Sequence, residues 1–100
     1  MADVVWTEPA LQDLDAIADY IALDKPDAAA RWVARVFEKV GSLKRFPRLG
    51  SSPPELAGLP YRQLVIPPCR IFYRIDKNRV LIIHVMRAEQ LLRPGLLENE

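Results

Sequence analysis

The chain has one cysteine and one histidine in 100 residues. A lone Cys69 excludes an internal disulfide, and Cys69 with His84 is too small a set for a zinc site built on those ligands. Glycine is scarce, at four residues, and none sits in a G-x-G-x-x-G or P-loop pattern. That excludes the common glycine-rich phosphate cradles. Ser42, Ser51 and Ser52 lack the context of a nucleophile elbow, which argues against a serine hydrolase. No apolar run approaches the roughly 20 residues that a membrane-spanning helix requires. The start, Met1-Ala2-Asp3, has neither the basic region nor the apolar stretch of a secretory signal. A cytoplasmic protein with no membrane partner, no metal and no cofactor is the expectation.

Half of the residues are apolar and 27% are charged, the balance of one small globular domain spanning residues 1–100. The net charge of +1 hides an asymmetry. Residues 1–27 hold seven acids against one base, whereas residues 60–87 hold six bases against one acid. Residues 28–59 are also basic, with six bases and two acids. Such polarity suggests an acidic flank and a basic face, each suited to a different partner.

Val4, Val5 and Trp6 read as a short strand, and Thr7 as the cap of a following helix. Leu11, Leu14, Ile17, Ala18 and Ile21 recur at steps of three and four, the apolar stripe of an amphipathic helix. Asp24-Lys25-Pro26 interrupts it. Ala29, Trp32, Val33, Val36, Phe37, Val40 and Leu43 define a second stripe, and Pro47 limits that helix. Residues 47–60, with four prolines and two glycines, form a surface loop. Three strand-like runs follow, Tyr61–Ile66, Arg70–Ile75 and Arg79–Arg87, the last being the most apolar. The expected fold is α+β, in the order β-α-α-β-β-β. A helical hairpin covers one face of a small, mainly antiparallel sheet. Strict alternation places Ile71, Tyr73, Ile75, Leu81, Ile83 and Val85 under the helices. The stripe of the second helix likewise buries Phe37 with Trp32, Val36 and Val40.

The same alternation puts Arg70 and Arg74 on the other, partly open face, with His84 and Arg87 on the neighbouring strand. Guanidinium groups there suit phosphate or carboxylate. Arg62, Arg70, Arg74 and Arg87 are therefore candidate partner-binding residues. His84 reads equally as a packed, hydrogen-bonded side chain and as an acid/base group. A Cys69–His84 nucleophilic pair is far less expected than a buried cysteine beside a proline bend.

The succession Phe46-Pro47-Arg48-Leu49-Gly50, Tyr61-Arg62-Gln63-Leu64, Arg70-Ile71-Phe72-Tyr73-Arg74 and Val80 to Arg87 resembles the RelE/ParE superfamily of bacterial type II toxin–antitoxin toxins. The resemblance covers nearly the whole chain. It implies a growth-inhibiting, plasmid-stabilising type of toxin, held in an oligomeric assembly with a cognate antitoxin. RelE-like members cleave ribosome-bound mRNA, and ParE-like members poison DNA gyrase. Arg70 matches the arginine that RelE-like nucleases set against the scissile phosphate, and Arg74, His84 and Arg87 would complete such a site. The tail region, Ala88 to Leu92, lacks the further base or tyrosine of those nucleases, so the resemblance favours the ParE-like branch and a non-enzymatic toxin. A non-toxic interaction domain is a third reading.

Overall fold

The computed structural model describes residues 1–90, and the Leu91, Leu92, Leu96 and Leu97 positions of the tail lie outside them. The chain opens with β1 (Asp3–Trp6), turns into α1 (Glu8–Ala22) and returns along α2 (Pro26–Gly41). Thr7 caps α1: its hydroxyl accepts the Ala10 N–H at 3.4 Å and donates to the Ile82 carbonyl at 2.7 Å. The cap therefore starts the helix and fixes it to the sheet at once. Pro26 opens α2, where its missing N–H costs nothing. A 3-10 turn, Ser42–Lys44, carries the chain out of α2.

Strands β2 (Tyr61–Ile66), β3 (Cys69–Asp76) and β4 (Arg79–Arg87) complete a four-stranded sheet in the order β1-β4-β3-β2. The last three strands are antiparallel, and β1 runs parallel to β4 from Asp3↔Arg79 to Trp6↔Ile82. The most apolar strand is thus central, as its composition predicts. Both helices lie on one face. Leu14, Trp32, Val36 and Val40 pack there against Leu64, Ile66, Ile71, Tyr73, Val80, Ile82 and Val85. The Trp32 indole also donates to the Ile66 carbonyl at 3.3 Å, so its one polar atom is satisfied within the core.

Two expectations are corrected. Leu81 and Ile83 face away from the helices, and Val80 and Ile82 take their places. The cause is a bulge: Phe72 pairs with His84 while Tyr73 pairs with Ile82, which leaves Ile83 as an extra residue in β4. An extra residue inverts the side-chain phase, so alternation cannot hold across all of β4. Phe37 is the second correction. It is 47% exposed and leans on Trp6, with ring centroids 5.2 Å apart. It borders the core and does not fill it.

Candidate functional site

The sheet face away from the helices is less open than its sequence suggests. A second 3-10 turn, Pro54–Leu56, lies across it. Leu56 is buried there with Phe72, Ile83 and Met86. This anchor sets Glu55, its neighbour, over β3. Both terminal nitrogens of Arg70 meet the Glu55 carboxylate at 2.7 Å. The Arg70 Nε donates to the Gln63 side-chain oxygen at 2.8 Å, and the guanidinium lies 4.9 Å from the centre of the Phe72 ring. Phe72 in turn stacks on His84 at 5.9 Å. Arg70 is the one charged residue buried among the described residues, and it is fully employed.

His84 occupies the position after the extra residue of the β4 bulge. Its Nδ1 lies 2.8 Å from the Asp13 carboxylate on α1, and the same oxygen accepts the Val85 N–H at 3.1 Å. β1 ends beside Ile82, so the upper part of β4 has no strand on that side. Asp13 closes this edge, and His84 is half-buried and hydrogen-bonded there.

The other arginines disperse. Arg87 turns to the helix side, over the Tyr20 ring at 5.3 Å, with Glu89 at 3.1 Å from its Nε. Arg62 donates to the Gly50 carbonyl at 2.9 Å and the Arg48 carbonyl at 3.1 Å. It braces the 46–50 loop and does not share the face of Arg70. Arg74 does share that face, half-buried and opposite Tyr61 and Leu81. The structure thus joins Arg70 to Phe72 and His84 and separates Arg62 and Arg87 from them. Cys69 pairs with Arg87 while His84 pairs with Phe72 three residues along, so no Cys/His pair forms. Burial, helped by the Glu89 carboxylate and opposed by Arg87, pushes the Cys69 thiol up from its ordinary 9.0 to about 11, so it stays protonated at neutral pH.

The residues missing from the sequence reading are Glu55 and Gln63 on Arg70 and Asp13 on His84. Hairpin symmetry about Pro67-Pro68 was a usable signal for Gln63, which pairs with Phe72 on the Arg70 face. Nothing in the sequence links Asp13 to a histidine 71 residues away. Among the described residues no cluster of His, Cys, Asp and Glu could hold a metal ion, and no helix is long and apolar enough to cross a membrane.

The motif-bearing loop has a structural logic of its own. Tyr73, fully buried, donates its hydroxyl to the Pro47 carbonyl and accepts the Gly50 N–H, both at 2.8 Å. A Cβ on Gly50 would lie 2.5 Å from the Gln63 carbonyl oxygen. Pro47, Gly50, Arg62 and Tyr73 therefore form one interlocked unit. Residues 4–92 match the ParE toxin of the type II toxin–antitoxin system parDE.

This chain belongs to the ParE toxin family.

Toxin RelE2 of Caulobacter vibrioides is 40% identical over 92 residues, covering 91% of this chain and 100% of that protein. A chromosomal ParDE toxin–antitoxin system of P. aeruginosa contains a chain that superimposes with a TM-score of 0.74 at 28% identity, over 89% of this chain and 98% of that one. The toxin–antitoxin complex RelBE2 of Mycobacterium tuberculosis gives a TM-score of 0.59 at 25% identity, covering 86% of this chain and 96% of that one. The chain is thus a toxin of a type II toxin–antitoxin system within the RelE/ParE superfamily.

Proposed function

We propose that this toxin arrests growth by inhibiting DNA gyrase, and that a cognate antitoxin silences it in a shared assembly in the cytoplasm. The carrying observation is the state of Arg70. A nuclease arginine stabilises charge on a scissile phosphate and must present its guanidinium to that phosphate. Here both terminal nitrogens are occupied by Glu55, and Nε by Gln63. A phosphate would have to displace a carboxylate held at 2.7 Å, on a turn that Leu56 anchors. One observation favours the mRNA-cleaving alternative: the His84–Asp13 contact is the arrangement that orients a general base.

Purified toxin distinguishes the readings. Inhibition of gyrase supercoiling, with no cleavage of mRNA in a translating extract, is the expected result. Cleavage that disappears in Arg70→Ala and in His84→Ala would establish the nuclease. Induction without any growth arrest would identify a non-toxic interaction domain.

A further inference from the structure

The end of the sheet opposite Arg70 carries cations without side-chain partners beside exposed apolar surface. Phe46, Leu49 and Ile75 line an open trough of about 550 Å³. Through Arg48 and Ile75 it continues into a hollow of about 240 Å³ beside Leu59 and Tyr61. Phe46 is 58% exposed and Leu49 50%, although the backbone beneath them is pinned by Tyr73 and Arg62. The trough is therefore preformed, and its occupant would not have to order the loop. Its charged lining residues, Arg48 and Arg62, are both cations. Lys44 and Arg45 flank it in sequence. Arg48, Lys44 and Arg45 have no side-chain partner among the described residues. The nearby Asp76 is engaged by Arg79.

The geometry points to this trough as the seat of the antitoxin, through an acidic segment that inserts apolar side chains beside Leu49 and sets carboxylates against Arg48. The inference rests on the proposal that a protein antitoxin silences this chain, and it locates the contact away from Arg70. Charge complementarity selects an acidic occupant, and the apolar walls, with Leu49 and Ile75 among them, select a protein over a duplex. A duplex satisfies cations but offers no apolar side chain to fill the space. Apolar anchors in such a pocket hold the complex, while the rim cations speed encounter.

The test uses the antitoxin that neutralises the parent chain. Leu49→Asp is expected to weaken binding about 30-fold or more, chiefly through faster dissociation. Arg48→Glu is expected to lower affinity about 10-fold through slower association, an effect that shrinks as salt rises. Val65→Asp, 57% exposed on edge strand β2, should stay within about twofold. All three sites are exposed, so circular dichroism should match the parent. Benzoylphenylalanine at position 46 should crosslink the antitoxin. Leu49→Asp within about threefold of the parent, or a crosslink to gyrase or to a second copy, overturns the inference and leaves the proposed function standing. So does loss of duplex-oligonucleotide binding in Arg48→Glu with antitoxin affinity unchanged. If no antitoxin silences the parent chain, the proposed function falls, and this inference with it.

Discussion

Arg70 and Arg48 sit toward opposite ends of β3 and are treated in opposite ways. Arg70 follows the first residue of the strand, is buried, and has its three donor nitrogens on Glu55 and Gln63. Arg48 stands beside Ile75 at the other end, exposed and without a side-chain partner among the described residues. A count of basic residues treats the two alike. Burial separates them: a desolvated guanidinium must be paired, whereas an exposed one can wait for a carboxylate brought by another molecule. One end of the sheet has completed its electrostatics internally, and the other has left them open.

The sharpest way to break this contrast is to remove Arg70. Arg70→Ala takes the two-pronged guanidinium away from the Glu55 carboxylate, whose side chain is only 20% exposed, and should cost about 2–4 kcal/mol in urea denaturation. A loss below about 0.5 kcal/mol would mean that the two arginines are equivalent after all. The buried end should also carry an alkaline weakness. The folded Cys69 thiol holds its proton to about 11, against an ordinary 9.0, so the unfolded chain releases that proton first as pH rises. The thiol's contribution is complete below pH 9.0 and declines as pH rises to about 11. Relative to Cys69→Ala, the parent should lose about 2–3 kcal/mol across that window, and parallel stability curves for the two proteins would refute it.

Between the two ends lies Gly50. In Gly50→Ala the new methyl meets the Gln63 backbone oxygen and the Tyr73 ring, so the loop must shift at a cost of about 1–3 kcal/mol. Antitoxin affinity should fall further than Leu49→Ala alone lowers it, because the trough floor moves. Unchanged melting and unchanged affinity would show that the loop is not pinned. The smallest expected effect is on the stability of Arg48→Ala, within about 0.5 kcal/mol of the parent by the same denaturation. A larger loss would reveal a structural role for Arg48.

Sequence periodicity reached the helices because Leu14, Trp32, Val36 and Val40 obey a local rule. It also reached the order of the elements and the central place of the most apolar strand. It failed in β4, where one bulged residue inverts the phase and nothing in Leu81-Ile82-Ile83 marks the site. Phe37 was misplaced for a related reason. A stripe gives the direction of a side chain but not where the neighbouring sheet ends. The arginines were legible as a set and not as individuals. Fifteen sequence positions, which include the end of the proline-rich loop and all of β2, separate Arg70 from the carboxylate that neutralises it, so the pairing is a property of the fold. Arg62 reads as a rim cation until the Gly50 and Arg48 carbonyls are seen beneath it.

The parallel pairing of β1 with β4 has a consequence in time. Of the four strands β1 is made before the others, and among the described residues its partner in the sheet is β4, the last of them. The hydroxyl that caps α1 reaches a carbonyl 75 residues later in the chain. Neither β1 nor the docking of α1 can be completed until β4 has been synthesised. Closing so long a loop is slow compared with forming a helical hairpin. The sheet therefore closes only after β4 has been translated. That interval is set by topology alone.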